Sequence, residues 1–231
     1  MRVRILGTRG EIEETAPYHS RHSGILIDKT LMVDLGEREF LDRGPQAVLI
    51  THLHPDHAYF VRAGEGRPPA AIPIYAPEAR PQYGVELLEA PRTVAGYEVR
   101  PVPTHHSLKV RSQAYLIAKG SAKILYTGDL IWINKDLHPL FEGLDLVITE
   151  ASYFRKGGLV KRDKATGTIY GHAGTPDLVR LFRDCCRRIV LVHFGAWFYR
   201  DIAGARSAIR ELGRANGIDL KAGRDGQEIV V

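Results

Sequence analysis

Cysteine is almost missing. Two residues in 231, Cys185 and Cys186, stand side by side, which excludes a disulfide framework and a cysteine-rich zinc finger. They read as small buried side chains in a reducing compartment. Long apolar runs are missing too: nothing approaches the roughly 20 residues a bilayer span requires, and Met1 passes straight into the strand-like stretch 3–6 without a secretory pattern. A soluble cytoplasmic protein with no membrane partner is expected. Charge of one sign is only mildly in excess, a formal +5, and no helix-turn-helix or base-stacking motif marks a dedicated nucleic-acid binder. Part of the excess is local, because Arg155, Lys156, Lys161, Arg162 and Lys164 lie between Glu150 and His172 with only Asp163 opposing them. A solvated loop is the plain reading of such a run; beside a site, it would attract an anionic substrate.

Histidine and aspartate are what the chain has in unusual concentration. Thr51-His52-Leu53-His54-Pro55-Asp56-His57 follows the apolar run 47–50 directly. In an extended approach His52 and His54 face the same way, and Pro55 breaks the strand so that Asp56 and His57 turn back to the same place. Three imidazoles and an acid this close are costly without a cation between them. Imidazole and carboxylate suit zinc or a similar divalent ion. Four such groups exceed the needs of one catalytic zinc, so two neighbouring ions are expected, with further ligands from elsewhere.

The rest of the chain supplies candidates at strand ends. Runs at 3–6, 24–28, 30–34 and 47–50 read as strands, with Asp28-Lys29 as a tight hairpin turn. Asp34 reads equally as a turn acid or as a partner to a metal-bound imidazole. Tyr18, His19, Arg21 and His22 form either a rim or plain surface, with surface favoured. A helix is expected after His57, then a Pro/Gly-rich loop at 64–73 and a short strand near 74–75, while 77–90 stays ambiguous. Alternation through 93–104 delivers His105-His106-Ser107, and strands at 114–117 and 122–126 lead to Thr127-Gly128-Asp129. An apolar run at 144–149 ends in Glu150-Ala151-Ser152. Thr175 is placed to cap a helix running from Pro176 through Cys186, a strand at 188–192 leads to His193, and a final helix covers 200–215 before a terminal strand. Strands in both halves with helices between them predict an α/β (α+β) chain, two sheets face to face with helices outside, as one domain over residues 1–231.

This ordered set of motifs resembles the metallo-β-lactamase superfamily, whose αββα sandwich binds one or two metals at the edge of its sheets. The resemblance implies His52, His54 and His106 for a first metal, Asp56, His57 and His193 for a second, and Asp129 bridging. His106 is preferred over His105 because Ser107 follows it. His54 stands where the flavodiiron branch has an acid, which points to hydrolysis. Glu150-Ala151-Ser152 and Gly171-His172-Ala173 resemble motifs of the branch that contains ribonuclease Z and the cyclic phosphodiesterases of phosphonate breakdown. That branch implies His172 as general acid, Glu150 as the group that holds its tautomer, and Asp56 as a catalytic residue that positions the nucleophile. The implied cofactors are two divalent ions, zinc first, with manganese or iron as substitutes. The implied partner is an anionic small-molecule or nucleic-acid phosphodiester, with substrate contacts at His105, Arg21, Lys161 and Arg162, and a homodimer is compatible with it. The chain is too short between its motifs for the transfer-RNA-gripping arm of ribonuclease Z or the added β-CASP domain, and it lacks the extra cysteine cluster of the phosphonate enzymes. Rival readings are an acyl hydrolase acting on a lactone, thioester or β-lactam, and a metal-bearing binding module without turnover.

Overall fold

Apolar residues on both sides of nearly every strand mean that each sheet is covered on both faces. The computed structural model describes residues 1–231. Its first half forms β1 (Arg2–Gly7), β2 (Gly24–Ile27), β3 (Leu31–Val33), β4 (Ala47–Leu49), β5 (Ile74–Ala76) and β6 (Val85–Leu87). Next come β7 (Arg92–Val94), β8 (Tyr97–Thr104), β9 (Ser112–Lys119), β10 (Ala122–Tyr126), β11 (Leu146–Ala151), β12 (Leu159–Arg162) and β13 (Ile169–His172). The chain ends with α1 (Thr175–Phe182), β14 (Arg188–Phe194), α2 (Ala196–Arg200), α3 (Ile202–Asn216), β15 (Asp219–Ala222) and β16 (Glu228–Val230).

Two seven-stranded sheets result, ordered β16-β1-β2-β3-β4-β5-β6 and β15-β14-β11-β10-β9-β8-β7, while β12 and β13 pair as a separate hairpin. Strands β3 to β6 run parallel, as do β10, β11, β14 and β15; the others are antiparallel. Side-chain alternation sorts the apolar residues into layers. Val3, Ile5, Ile25, Ile27 and Val33 meet Tyr97, Tyr115, Ile117, Tyr126, Ile148 and Val190 between the sheets. The outer face of the second sheet, with Leu125, Val147 and Leu191, is covered by Leu178, Phe182, Phe198 and Ile209 from the helices. Leu6, Leu26, Met32 and Val48 on the outer face of the first sheet pack on Phe40, Tyr59 and Phe60.

That last cover differs from expectation. No helix follows His57; residues Tyr59–Val61 make a single 3₁₀ turn. The Tyr59 N–H is taken by the Leu35 carbonyl at 2.8 Å, so the segment is tied sideways before a helical ladder can start. A second 3₁₀ segment, Arg38–Arg43, brings in Phe40. The sandwich therefore carries α-helices on one side and 3₁₀ turns on the other. At 28–29 the hairpin turn forms as expected, with φ of 46° and 61°, the type I′ geometry that matches strand twist.

Four further boundaries move. Helix α1 stops at Phe182, whose carbonyl takes the N–H of both Cys185 and Cys186. Thr175 is inside the helix rather than its cap, and its hydroxyl donates to the Tyr153 carbonyl at 3.1 Å. The final helix divides at Asp201, which caps α3 through Gly204 N–H. The basic run after Glu150, read as a loop, folds into the β12–β13 hairpin. No helix is long and apolar enough to cross a membrane.

Candidate metal centre

The ends of β4, β8, β10, β11, β13 and β14 meet at one edge of the sandwich. From β4, the loop 51–57 brings His52, His54, Asp56 and His57. His106 follows β8, Asp129 follows β10, Glu150 and His172 lie near the ends of β11 and β13, and His193 lies in β14. Two local devices aim these groups. Gly128 has φ of 57°, and a Cβ there would stand 2.5 Å from Thr51 Oγ1, so only glycine lets Asp129 come this close to the 51–57 loop. In β14, Val192 pairs with Glu150 and Phe194 with Ala151, leaving His193 as the extra residue of a bulge with φ of 52°. The bulge turns its imidazole out of the sheet alternation toward the centre.

Two clusters form around a shared carboxylate. In the first, His54 Nδ1 is 3.0 Å from His52 Nε2 and 3.3 Å from His106 Nε2. Asp129 Oδ2 lies 3.8 Å from His52 Nε2 and 3.7 Å from His106 Nε2. In the second, His193 Nε2 is 2.8 Å from Asp56 Oδ2 and 3.4 Å from Asp129 Oδ1, while His57 Nε2 is 3.3 Å from Asp129 Oδ1 and 3.6 Å from Asp56 Oδ2. One carboxylate thus turns one oxygen to each cluster.

The donor set fits two cations. The outward Nδ1 of His106 donates to the Gly171 carbonyl at 2.9 Å, that of His57 to Asp34 Oδ2 at 2.7 Å, and that of His52 to Thr51 Oγ1 at 3.1 Å. These bonds turn the Nε2 atoms toward one another and the carboxylates, as the nitrogens left to meet a cation. Asp129 Oδ1 is buried with no hydrogen-bond donor, a condition that is costly unless a positive charge lies beside it. A divalent ion in each cluster answers both observations, with His52, His54 and His106 around one, Asp56, His57 and His193 around the other, and Asp129 between.

The electrostatics divide along the same line. Burial, with the other imidazoles adding to it, depresses His52 well below the ordinary histidine value and His54 to about 4. Burial also lowers His106. For His57 burial acts in the same direction but is outweighed by Asp129, Asp56 and Asp34, which raise it well above the ordinary value. Asp129 and Asp56 likewise raise His193. His172 stands beside the clusters with its Nδ1 2.9 Å from Glu150 Oε2 and 3.8 Å from Asp129 Oδ2. Burial opposes its charge, yet the Glu150 carboxylate prevails and raises it to about 9.

A cleft of about 930 Å³ opens over both clusters. Asp56, His106, Asp129, His172 and His193 form its floor, and Glu11, Ile12, Phe154, Arg155, Trp197 and Arg200 its walls. The Phe154 and Trp197 rings are stacked at 4.7 Å between centroids. Of the four predicted substrate contacts, none lines this cleft. Lys161 and Arg162 are exposed on β12, and Arg162 is turned away to the Gly167 carbonyl at 2.6 Å. Arg21 is exposed in a separate hollow with Arg4 and Arg43. His105 faces another one, its Nε2 held 2.8 Å from Asn134 Oδ1. Strand alternation explains the pair at 105–106: adjacent side chains leave opposite faces, so only His106 reaches the centre. Arg155, from the basic run, and Arg200, which no sequence pattern marked, are the cations that do line the cleft. Asp34 takes the second of its two readings, accepting from His57 Nδ1, Thr51 N and Thr51 Oγ1. His19 proves wholly buried rather than surface.

Comparison with known proteins agrees with this architecture. Residues 35–194 match the Beta-lactamase superfamily domain. The metallo-β-lactamase fold protein YhfI from Bacillus subtilis superposes with a TM-score of 0.72 at 19% identity, over 99% of this chain and 98% of that one. A diphosphatase of the PhnP family gives 0.67 at 16% identity, over 100% and 97%. The short form of human tRNase Z gives 0.62 at 19%, over 100% and 99%. No curated protein sequence matches significantly. With the domain match, the two sheets and the histidine–aspartate clusters at their edge, the chain belongs to the metallo-β-lactamase superfamily of metal-dependent hydrolases.

Proposed function

We propose that this protein is a cytoplasmic phosphodiesterase with two zinc ions, related to the ribonuclease Z and cyclic phosphodiesterase branch. The observation that carries the reading is the His172–Glu150 pair beside the shared Asp129. A thioester expels a thiolate, which departs without a proton donor, whereas an alkoxide leaving phosphorus gains much from one that is positioned. A diphosphatase and a tRNase Z among the similar folds support the same chemistry, although an isothiocyanate hydrolase from Delia radicum gut bacteria is similar as well.

When bound, the cation pair supplies Lewis-acid polarisation of the phosphoryl oxygen and water of lowered pKa. The chain's own groups do the rest. Asp56 turns Oδ2 toward His193 and His57 in the second cluster, so Oδ1 is left to accept a hydrogen bond from the attacking water and orient it. Glu150 holds Nδ1–H of His172, which puts the transferable proton on Nε2, for delivery to the departing oxygen. Arg155 and Arg200 meet the remaining charge of the anion, and Phe154 with Trp197 offers a flat wall to a planar substituent. Between β11 and α1 the chain projects only the short β12–β13 hairpin, which favours small nucleotide-like phosphodiesters over transfer RNA.

The test is a hydrolysis panel on zinc-loaded protein, with manganese and iron as parallel arms. Bis-p-nitrophenyl phosphate should be cleaved well ahead of lactones, thioesters and β-lactams. His172→Ala should slow alkyl phosphodiesters by about 10²–10⁴-fold while sparing nitrophenyl esters, whose leaving groups need no proton. Acyl substrates turning over faster, or equal losses on both ester types, would end the reading.

A further inference from the structure

Glu150 serves more than His172. It is buried and surrounded by donors: Leu130 N–H at 2.8 Å on Oε1, Ser152 Oγ at 2.5 Å on Oε2, and His172 Nδ1 on both oxygens. A carboxylate only accepts, so the Ser152 hydroxyl must donate its one proton to it. The lone pairs of Ser152 Oγ are then the part that faces His193 Nδ1, 2.9 Å away. His193 must donate there, which leaves its Nε2 as the nitrogen that meets a cation, on the side of Asp56 and Asp129. Nothing else can take over this duty on the flank covered by Gly10, whose bare backbone lies so near that a Cβ would stand 3.2 Å from His193 Nδ1. His193 also leaves the sheet through a bulge, so its backbone alone does not fix the ring.

We infer that Ser152 is the positioning residue of the second cation site: it orders a proton relay, Glu150 to Ser152 to His193, that fixes the tautomer and angle of one ligand. The same carboxylate thereby sets the geometry of both the proton donor His172 and the ligand His193. The inference rests on the two-cation reading, but not on the identity of the substrate. The first cluster has no part in it, since His52 is held by Thr51 and His106 by the Gly171 carbonyl.

Stepwise removal of zinc from the loaded full-length protein by a competing chelator tests this without any substrate. Wild type should release two ions per chain. Ser152→Ala should hold the first as wild type does and release the other at about 10- to 100-fold lower chelator strength, the usual effect of removing the partner of a ligating histidine. Ser152→Thr, which keeps the hydroxyl, should stay near wild type. Ser152→Cys, nearly isosteric but a weak acceptor, should behave like Ala and covers the case in which Ala does not fold. Unchanged release in Ala or Cys, loss of both ions together, Thr no better than Ala, or failure of both Ala and Cys to fold would each overturn the assignment. Absence of phosphodiester hydrolysis with selective zinc loss intact would sink the proposed substrate and leave Ser152 in its role.

Discussion

The two histidine–aspartate clusters share Asp129 between them, and Asp34 stands behind a histidine of each, but at different removes. The first is all imidazole: His106 hands its ring proton to a backbone carbonyl and His52 to the Thr51 hydroxyl, which passes its own on to Asp34, while burial lowers both histidines. The second includes Asp56 and is backed by acids, with Asp34 behind His57 and Glu150 behind His193 by way of Ser152. An imidazole backed by a carboxylate is a stronger ligand, and also one that a proton contests harder. The difference teaches that the site is unequal by construction: the first position is lined by imidazoles with an acid behind only one of them, at one remove, while the second holds Asp56 itself and has an acid directly on His57.

The largest test of that contrast is at the shared group. Asp129→Asn removes the one charge common to both cradles, and cation affinity should fall by more than about 100-fold, beyond what an outer partner contributes. Metal content by elemental analysis checks it. Retention of two ions per chain would show that the clusters are independent. Next comes a pair of variants behind the ligands. Asp34→Ala leaves His57 Nδ1 and Thr51 N–H buried without an acceptor and should cost about 3–5 kcal/mol by urea unfolding, with weakening of the second ion. Thr51→Val, which removes the hydroxyl beside His52 Nδ1, should cost only about 1 kcal/mol. Equal losses would mean that an acid and a hydroxyl back their ligands alike.

The last test concerns a histidine outside the centre, with an acid only at one remove. His19 accepts from Arg206 at 2.9 Å and donates to Thr8 Oγ1 at 2.9 Å, which in turn donates to Asp225. Burial and then the Arg206 charge depress it to about 4. Between the ordinary value of 6.5 and about 4, the unfolded chain binds the extra proton, so stability present at pH 7 is lost as the pH falls through that window. The loss should be about 1–3 kcal/mol, and His19→Gln, which cannot titrate, should flatten that part of the stability curve. An unchanged curve would show that the relay does not hold His19 neutral.

The part of the site that was legible before folding is the part written contiguously or at strand ends. His52 to His57 declares itself because chemistry and spacing coincide in six residues, and Asp129 and His193 follow strands that periodicity reveals. Asp34 was ambiguous because a turn acid and the partner of a ligand look the same until the ring is placed. Lys161 and Arg162 misled, since a run of charge does not say which side of a hairpin faces the cleft. Arg200 could not be seen, being a lone cation at the end of a five-residue helix. His19 was misjudged because its polar neighbours suggest solvent, whereas its partner Arg206 is 187 positions away. The missing helix after His57 shows the same limit: a single sideways hydrogen bond to Leu35 outweighs local helical propensity.

Strand β16 lies beside β1, so during synthesis β1 waits for a partner far along the chain. Until that partner emerges, the outward N–H and C=O groups of β1 are an open template on which a second nascent chain can align. Arg2 and Arg4, which later meet Glu228 at 2.9 and 4.0 Å, give this waiting border a repulsive charge. Yield should therefore depend on how quickly β16 emerges to cover that border, more than on the strength of the core it closes.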